Sequence, residues 1–171
     1  MLPLLTALPV CLHLAAGLAR AAEPSAPTVA GVSTVSTDVF IAADAATVRA
    51  ALADPLVASR LNGDVLDARV LGKQGDCTLM QITTRGLTTP LVYTTRRCPT
   101  ADGFSESLVQ TQDFDAQTSV WRLLPVSGGT QVTFEVSSQP RLPVPQRLIN
   151  AAVGSSAVQT LKNLVARVTG R

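Results

Sequence analysis

Histidine is almost missing from this chain: His13 is the only one in 171 residues. Aromatic residues make up 4%, with one Trp, one Tyr and four Phe, and cysteine occurs three times. Charge of either sign is sparse, 14 Lys and Arg against 12 Asp and Glu. Each shortage excludes something. If the N-terminal run that carries His13 is removed, no Ser-His-Asp or Cys-His mechanism can be built, nor a nitrogen-rich zinc site. A near-neutral balance leaves no basic footprint for nucleic acid, and so few aromatic rings make no base-stacking platform. The longest apolar run, Leu4 to Leu18, falls short of the roughly 20 residues that span a bilayer comfortably.

That run reads as a signal peptide over residues 1–22. Ala19-Arg20-Ala21 supplies the small-x-small pattern of a signal-peptidase site, with cleavage after Ala21 or Ala22. No Lys or Arg lies between Met1 and Leu12, so either the amino terminus alone supplies the positive charge or translation starts elsewhere. Cys11 follows bulky Val10, a poor fit to a lipid-anchor site. The expectation is an exported protein, periplasmic or secreted. Loss of Arg20 leaves 13 of the 14 basic residues against 12 acidic, a net of +1. Loss of Cys11 leaves Cys77 and Cys98, and an even count in an oxidising compartment favours a disulfide.

Residues 23–33 are a loose Ala-, Pro-, Ser- and Thr-rich lead-in, and 34–171 form one domain. Thr34 to Ala42 has strand composition. Asp44 caps a short helix to Leu52, and Asp54-Pro55 opens a second over Leu56 to Leu61, closed by Asn62-Gly63. From Val65 the hydrophobic period falls to two, with strands near 65–72, 77–85, 90–98, 103–112, 118–124 and 130–138. Their short separators make an antiparallel meander. Beyond Pro140, Pro143 and Pro145, apolar residues recur at three and four over a helix from Gln146 to Val168. Its apolar face takes in Leu148, Ile149, Ala152, Val153, Val158, Leu161, Leu164, Val165 and Val168, with a slight bend expected at Gly154-Ser155-Ser156.

Turn positions fix register. A turn over Gly86 to Thr89 pairs Arg85 with Pro90 and carries Cys77 opposite Cys98, within reach of a disulfide. The alternative is two free buried thiols. The same register puts Met80, Ile82, Leu91 and Tyr93 on one face, the inner one. A last turn centred on Ser127-Gly128 opposes Trp121 to Phe134 and Leu123 to Val132.

The chain resembles the START-like (SRPBCC, helix-grip) superfamily of steroidogenic-type lipid-transfer domains and polyketide cyclase and aromatase relatives. The likeness rests on Trp121-Arg122-Leu123-Leu124-Pro125, Gly128-Gly129-Thr130, Val132 to Val136, and Leu142 to Asn150, with Thr160 to Leu164 in the matching place. It implies an α+β helix-grip fold: a curved antiparallel sheet (strand, two short helices, six strands) around a long C-terminal helix, with an internal apolar cavity. It also implies a lipid-like ligand.

Candidate ligand-binding residues are then Met80, Ile82, Leu91, Tyr93, Trp121, Leu123, Phe134, Leu148, Ala152 and Leu161. Ordinary core packing is the alternative for all ten. No catalytic residue, metal ligand or cofactor is assigned. Glu106 either shares an inner face with Phe104 and Leu108 or, the reading preferred here, is solvated while Ser105, Ser107 and Val109 face in. Arg96, Arg97 and Arg122 read as exposed strand charges, and Asp113 with Asp115 as turn chemistry rather than a calcium loop. The expected function is an exported, monomeric binding or transfer protein for a lipid, isoprenoid or polyketide-like molecule, with transient membrane contact possible. The alternatives are a cyclase or aromatase working in the same cavity with Glu106 or Tyr93, and a ligand-free structural domain.

Overall fold

A computed structural model describes residues 31–86, 88–141 and 145–170. The expected signal peptide and its cleavage site, the lead-in through residue 30, and Leu142 to Val144 of the proline link lie outside the described residues. The elements run β1 (Ser33–Ile41), α1 (Ala45–Ala53), α2 (Pro55–Arg60), β2 (Val65–Gln74), β3 (Cys77–Thr84), β4 (Leu91–Thr100), β5 (Gly103–Thr111), β6 (Phe114–Val126), β7 (Gly129–Pro140) and α3 (Gln146–Thr169).

All seven strands form one curved antiparallel sheet, ordered β1-β7-β6-β5-β4-β3-β2. Strands β2 to β7 are successive hairpins. The chain leaves β1 through α1 and α2 and returns to the far edge, so that β7, the last strand, docks beside the first. That pairing runs unbroken from Ser33↔Ser138 to Ile41↔Thr130. Helix α3 folds back against β1 and β7 and meets α1. This is the helix-grip arrangement expected from the sequence.

Local chemistry sets the boundaries. The Asp44 carboxylate accepts the Thr47 N–H at 2.8 Å, and Asp54 accepts those of Leu56 and Val57, which caps both short helices. Helix α3 ends at Gly170 in the left-handed region, φ 70°, a conformation that glycine adopts without a Cβ penalty. Strand β6 starts at Phe114, four residues before the expected start at Thr118. The turn is tighter because Asp113 concentrates its bonding: its N–H donates to Thr111 Oγ1 and its carboxylate accepts the Val92 N–H at 2.7 Å. Asp115 spends its carboxylate on Arg141 Nε, also at 2.7 Å.

Both hairpin registers are as expected: Ile82 faces Tyr93, and Trp121 faces Phe134. Cys77 and Cys98 are disulfide-bonded, with Cα atoms 4.2 Å apart. The apolar face of α3 differs from expectation in part. Leu148, Ala152 and Val158 are exposed, whereas Ala157 and Thr160 are buried. The buried stripe is centred on Ala157, Leu161 and Leu164, so residues about half a turn away from it point to solvent.

The core is divided. One cluster joins α1, α2 and α3 to β1, β5, β6 and β7 through Leu52, Trp121, Leu123, Val132, Phe134, Leu161 and Leu164. A second, on β2, β3, β4 and Phe114, contains Met80, Ile82, Leu91 and Tyr93. Most domains of this size have one contiguous core. Here a space lies between two.

Candidate functional site

The space between the clusters is a cavity of about 380 Å³. Trp121, Phe134, Ala58 and Ala157 line it from the first cluster, and Ile82, Leu91, Tyr93 and Phe114 from the second. Trp121 and Phe134, directly opposed on β6 and β7, stack with ring centroids 4.2 Å apart. Tyr93 and Phe114 meet edge to face at 5.1 Å. These pairs place four rings along the wall, and aromatic pairs add stability beyond their buried area.

Seven of the ten residues picked from sequence line the cavity: Ile82, Leu91, Tyr93, Trp121, Phe134, Leu148 and Ala152. Leu148 and Ala152, both solvent-exposed, border its mouth from α3, and Arg85 and Gly86 of the β3–β4 connection also line it. The other three are packed elsewhere. Met80 is fully buried within the second cluster, and Leu123 and Leu161 within the first.

Two charges need correction. Arg97 and Glu106, expected to face solvent, both line the cavity, with side chains 5% and 17% exposed. Arg97 lies two and four residues beyond Thr95 and Tyr93 on the same inner face of β4, so strict alternation turns it inward. Glu106 shares the inner face of β5 with buried Phe104. They are directly opposed across β4 and β5, with Arg97 Nη1 3.6 Å from Glu106 Oε2. Ser119 continues the row on β6. Arg122 is exposed as expected and pairs with Glu135 at 3.3 Å.

Arg97 is held on three sides. Its Nη2 donates to the Leu52 carbonyl at 3.0 Å, near the C-terminus of α1, and its guanidinium lies over the Phe104 ring at 4.5 Å. Arg49 stacks on the same ring at 5.6 Å and binds the carbonyls of Thr100, Ala101 and Gly103. Burial pulls the Arg97 guanidinium below its ordinary pKa, and the Glu106 charge opposes that fall. An arginine remains protonated through any such shift near neutrality. Among the described residues, Arg97 Nε and Gln117 Oε1 are buried without hydrogen-bond partners.

Burial pushes the Tyr93 phenol well above its ordinary pKa, and the nearby Glu106 charge adds to the rise. Tyr93 therefore enters the cavity as a neutral hydroxyl. Aromatic and aliphatic side chains make up much of the wall, while the β4–β5–β6 side carries one carboxylate, one guanidinium, an amide and hydroxyls. This arrangement can bury an apolar body and hydrogen-bond one polar end. Alternation along β4 and β5 was the signal that could have found Arg97 and Glu106. Gln117 and Thr160, which also line the cavity, gave none, because polar residues at those positions read as solvated.

The sequence matches no family profile and no curated protein. Solved structures do share its fold. A START superfamily protein from Mycobacterium smegmatis superposes with a TM-score of 0.70 at 20% identity, over 80% of this chain and 97% of that one. The Zhui aromatase/cyclase from Streptomyces sp. R1128 gives 0.70 at 15% identity, over 81% and 94%. A STAR-related lipid transfer protein from Xanthomonas axonopodis gives 0.60 at 18% identity, over 84% and 97%. The chain has the START-like, helix-grip fold.

Proposed function

We propose that this START-like chain is an exported binding or transfer protein that holds a hydrophobic small molecule, with one polar end, between its sheet and α3. The observation that carries this reading is the 380 Å³ cavity that splits the core in two and has an ion pair on its wall. Apolar burial drives the binding, at roughly 25 cal/mol per Å² removed from water. The ten residues named from sequence are proposed to build the site in two tiers. Seven touch the ligand, and Met80, Leu123 and Leu161 pack behind them. The Arg97–Glu106 pair meets the polar end, since a hydroxyl can donate to the carboxylate and accept from the guanidinium. Such a pair adds little stability by itself, which favours a binding role for it. The fold neighbours, among them a lipid transfer protein and an aromatase/cyclase by name, support a lipid, isoprenoid or polyketide-like ligand. The disulfide is in keeping with an oxidising compartment. The chain is proposed to act as a monomer, collecting or delivering its ligand at a membrane.

Purification from the native host, solvent extraction and mass spectrometry test the reading. A stoichiometric apolar molecule should be released. An empty protein that also takes up no apolar fluorescent probe sinks the proposal and favours a structural domain.

One observation supports a second reading. Glu106 and Tyr93 line the same cavity, where one carboxylate beside a buried hydroxyl could act as a general base. A cyclase or aromatase would lose turnover in Glu106→Gln while keeping ligand. A carrier would show no turnover in either form.

A further inference from the structure

The turn between α2 and β2 carries the chain's one Asn-Gly pair, Asn62-Gly63. Such a pair ordinarily marks a turn because glycine supplies a positive φ. Here glycine is not needed for that purpose: its φ lies outside the left-handed region, and a Cβ there would meet no atom within 4 Å. What the bare residue leaves open is its own main-chain nitrogen, directly after an amide side chain. Gly63 is exposed and Asn62 half-buried. Asn62 Oδ1 accepts two hydrogen bonds, from the Asp64 N–H at 3.0 Å and from the Ser156 hydroxyl of α3 at 2.9 Å. The first closes an Asx turn, which folds the side-chain carbonyl back over the Gly63 nitrogen. Together they set two donors on the oxygen that gains negative charge when that nitrogen attacks Cγ. Oxyanion holes speed acyl transfer by the same placement.

We infer that Asn62 is a self-modifying site: the Gly63 nitrogen displaces its side-chain amide, and the isoaspartate that results releases α3 from the α2–β2 turn. The bond from Gly63 N to Cγ forms, the bond from Cγ to Nδ2 breaks, and Nδ2 leaves with the Gly63 proton as ammonia. Water then opens the five-membered imide at either carbonyl. One opening gives aspartate, whose carboxylate still accepts from Ser156. The other gives isoaspartate, in which the main chain runs through Cγ and is one carbon longer. The former Oδ1 becomes a main-chain oxygen, so the Asx turn and the Ser156 bond are lost together. The bond from Asn163 Nδ2 to the Leu61 carbonyl, 2.8 Å, is left to hold α3 to the turn. Asn62, Asp64 and Ser156 all line the cavity, so the freed carboxylate and the loosened helix both fall on its wall. The effect on a bound molecule rests on the proposed carrier function; the modification does not.

The experiment is ageing of the folded mature protein in warm, mildly alkaline buffer, followed by peptide mass spectrometry and enzymatic methylation of isoaspartate. Asn62 should convert while Asn150 and Asn163, followed by Ala151 and Leu164, stay intact. Conversion should be no slower in the folded protein than in urea, because the fold supplies the two donors. Gly63→Ala crowds the attacking nitrogen and should slow it roughly tenfold. Ser156→Ala removes one donor and should slow it about tenfold, less than the roughly hundredfold loss in an enzyme's oxyanion hole because this turn is partly solvated. Unaltered circular dichroism in the variants shows that the fold is intact. Amide hydrogen exchange in the middle of α3 should rise in the isoaspartate fraction, and a bound apolar fluorescent probe should leave it about fivefold faster, the effect of one ordinary hydrogen bond. An intact Asn62, faster conversion in urea, or an unaltered rate in Ser156→Ala would each overturn the self-modification. Unchanged exchange in α3 would overturn the release of the helix. Fresh protein that takes up no probe would reject the carrier reading, while mass and exchange still decide the inference.

Discussion

Arg97 and Glu106 face each other across adjacent strands, with 3.6 Å between Nη1 and Oε2, and the Phe104 ring lies 4.5 Å from the guanidinium carbon. The pair is largely buried, with side chains 5% and 17% exposed, so its members depend on each other. Removing one partner should be costly. Arg97→Met leaves the Glu106 charge uncompensated and should destabilise the fold by about 3 kcal/mol, toward the low end for a broken buried pair because Glu106 keeps some exposure. The double replacement Arg97→Met/Glu106→Leu should recover most of that loss. Urea denaturation of the three proteins tests the cycle. If the pair receives the polar end of the ligand, the double variant should also lose its preference for a fatty alcohol over the matching hydrocarbon. Equal preference in the wild type would remove the pair from the binding site.

The disulfide joins β3 to β4 one residue away from Arg97. Cys98 points to the outer side of the strand and Arg97 to the inner, so the bond braces the wall that carries the ion pair. Titration of the denatured, unreduced protein should find no free thiol at Cys77 or Cys98. Cys77→Ser/Cys98→Ser should lower stability by roughly 3 kcal/mol, the chain-entropy value for a loop of about this length. An unchanged melting temperature would mean that the β3–β4 ladder alone fixes the wall.

Tyr93 is the only tyrosine, so its ionisation can be followed without overlap. Burial and the Glu106 charge raise its pKa far above the ordinary 10.0. The phenolate absorbance should therefore be absent from the folded protein at pH 10 and appear at once on unfolding in denaturant. The sign follows from linkage. A pKa raised by folding contributes stability that is whole below the unfolded value and falls as pH climbs beyond it. Stability should drop above about pH 10 in the wild type, and this loss should be smaller in Tyr93→Phe. A step at the ordinary tyrosine pKa in the folded state would place the hydroxyl in bulk solvent.

Much of this fold was legible because its signals are local. Asp44 and Asp54-Pro55 mark helix starts, and the turns at Gly86 and Gly128 set two registers from which the Cys77–Cys98 and Trp121–Phe134 pairings follow. The errors came where composition overrode periodicity. Alternation that puts Tyr93 inside also puts Arg97 inside, but a guanidinium directly after Arg96 reads as one of a solvated pair of charges. What allows it inside is non-local: the Leu52 carbonyl on α1, the Phe104 ring and Glu106. None of these is adjacent to Arg97 in sequence. Leu148 failed in the opposite sense. It has an apolar side chain at helical spacing, but at the end of α3, where it borders the cavity and is left 53% exposed among the described residues.

Ala152→Trp separates a ligand cavity from a merely loose core. Ala152 is exposed on α3 and borders the mouth, and its neighbours there include Asn62 and Asp64 of the α2–β2 turn. An indole at this position has room to lie across the opening without entering either packed cluster. Stability should then change by no more than about 0.5 kcal/mol, as at other surface sites. Uptake of an apolar fluorescent probe should slow or fail, because its path is blocked. Overpacking in a closed core would instead cost typically about 1–3 kcal/mol. Thermal melting and probe uptake, measured on the same preparation, distinguish these outcomes. A large drop in melting temperature with no effect on uptake would mean that α3 closes tightly at Ala152 and that the ligand enters elsewhere. A stable variant with wild-type uptake would mean that the mouth lies away from α3, which would remove Leu148 and Ala152 from the proposed site.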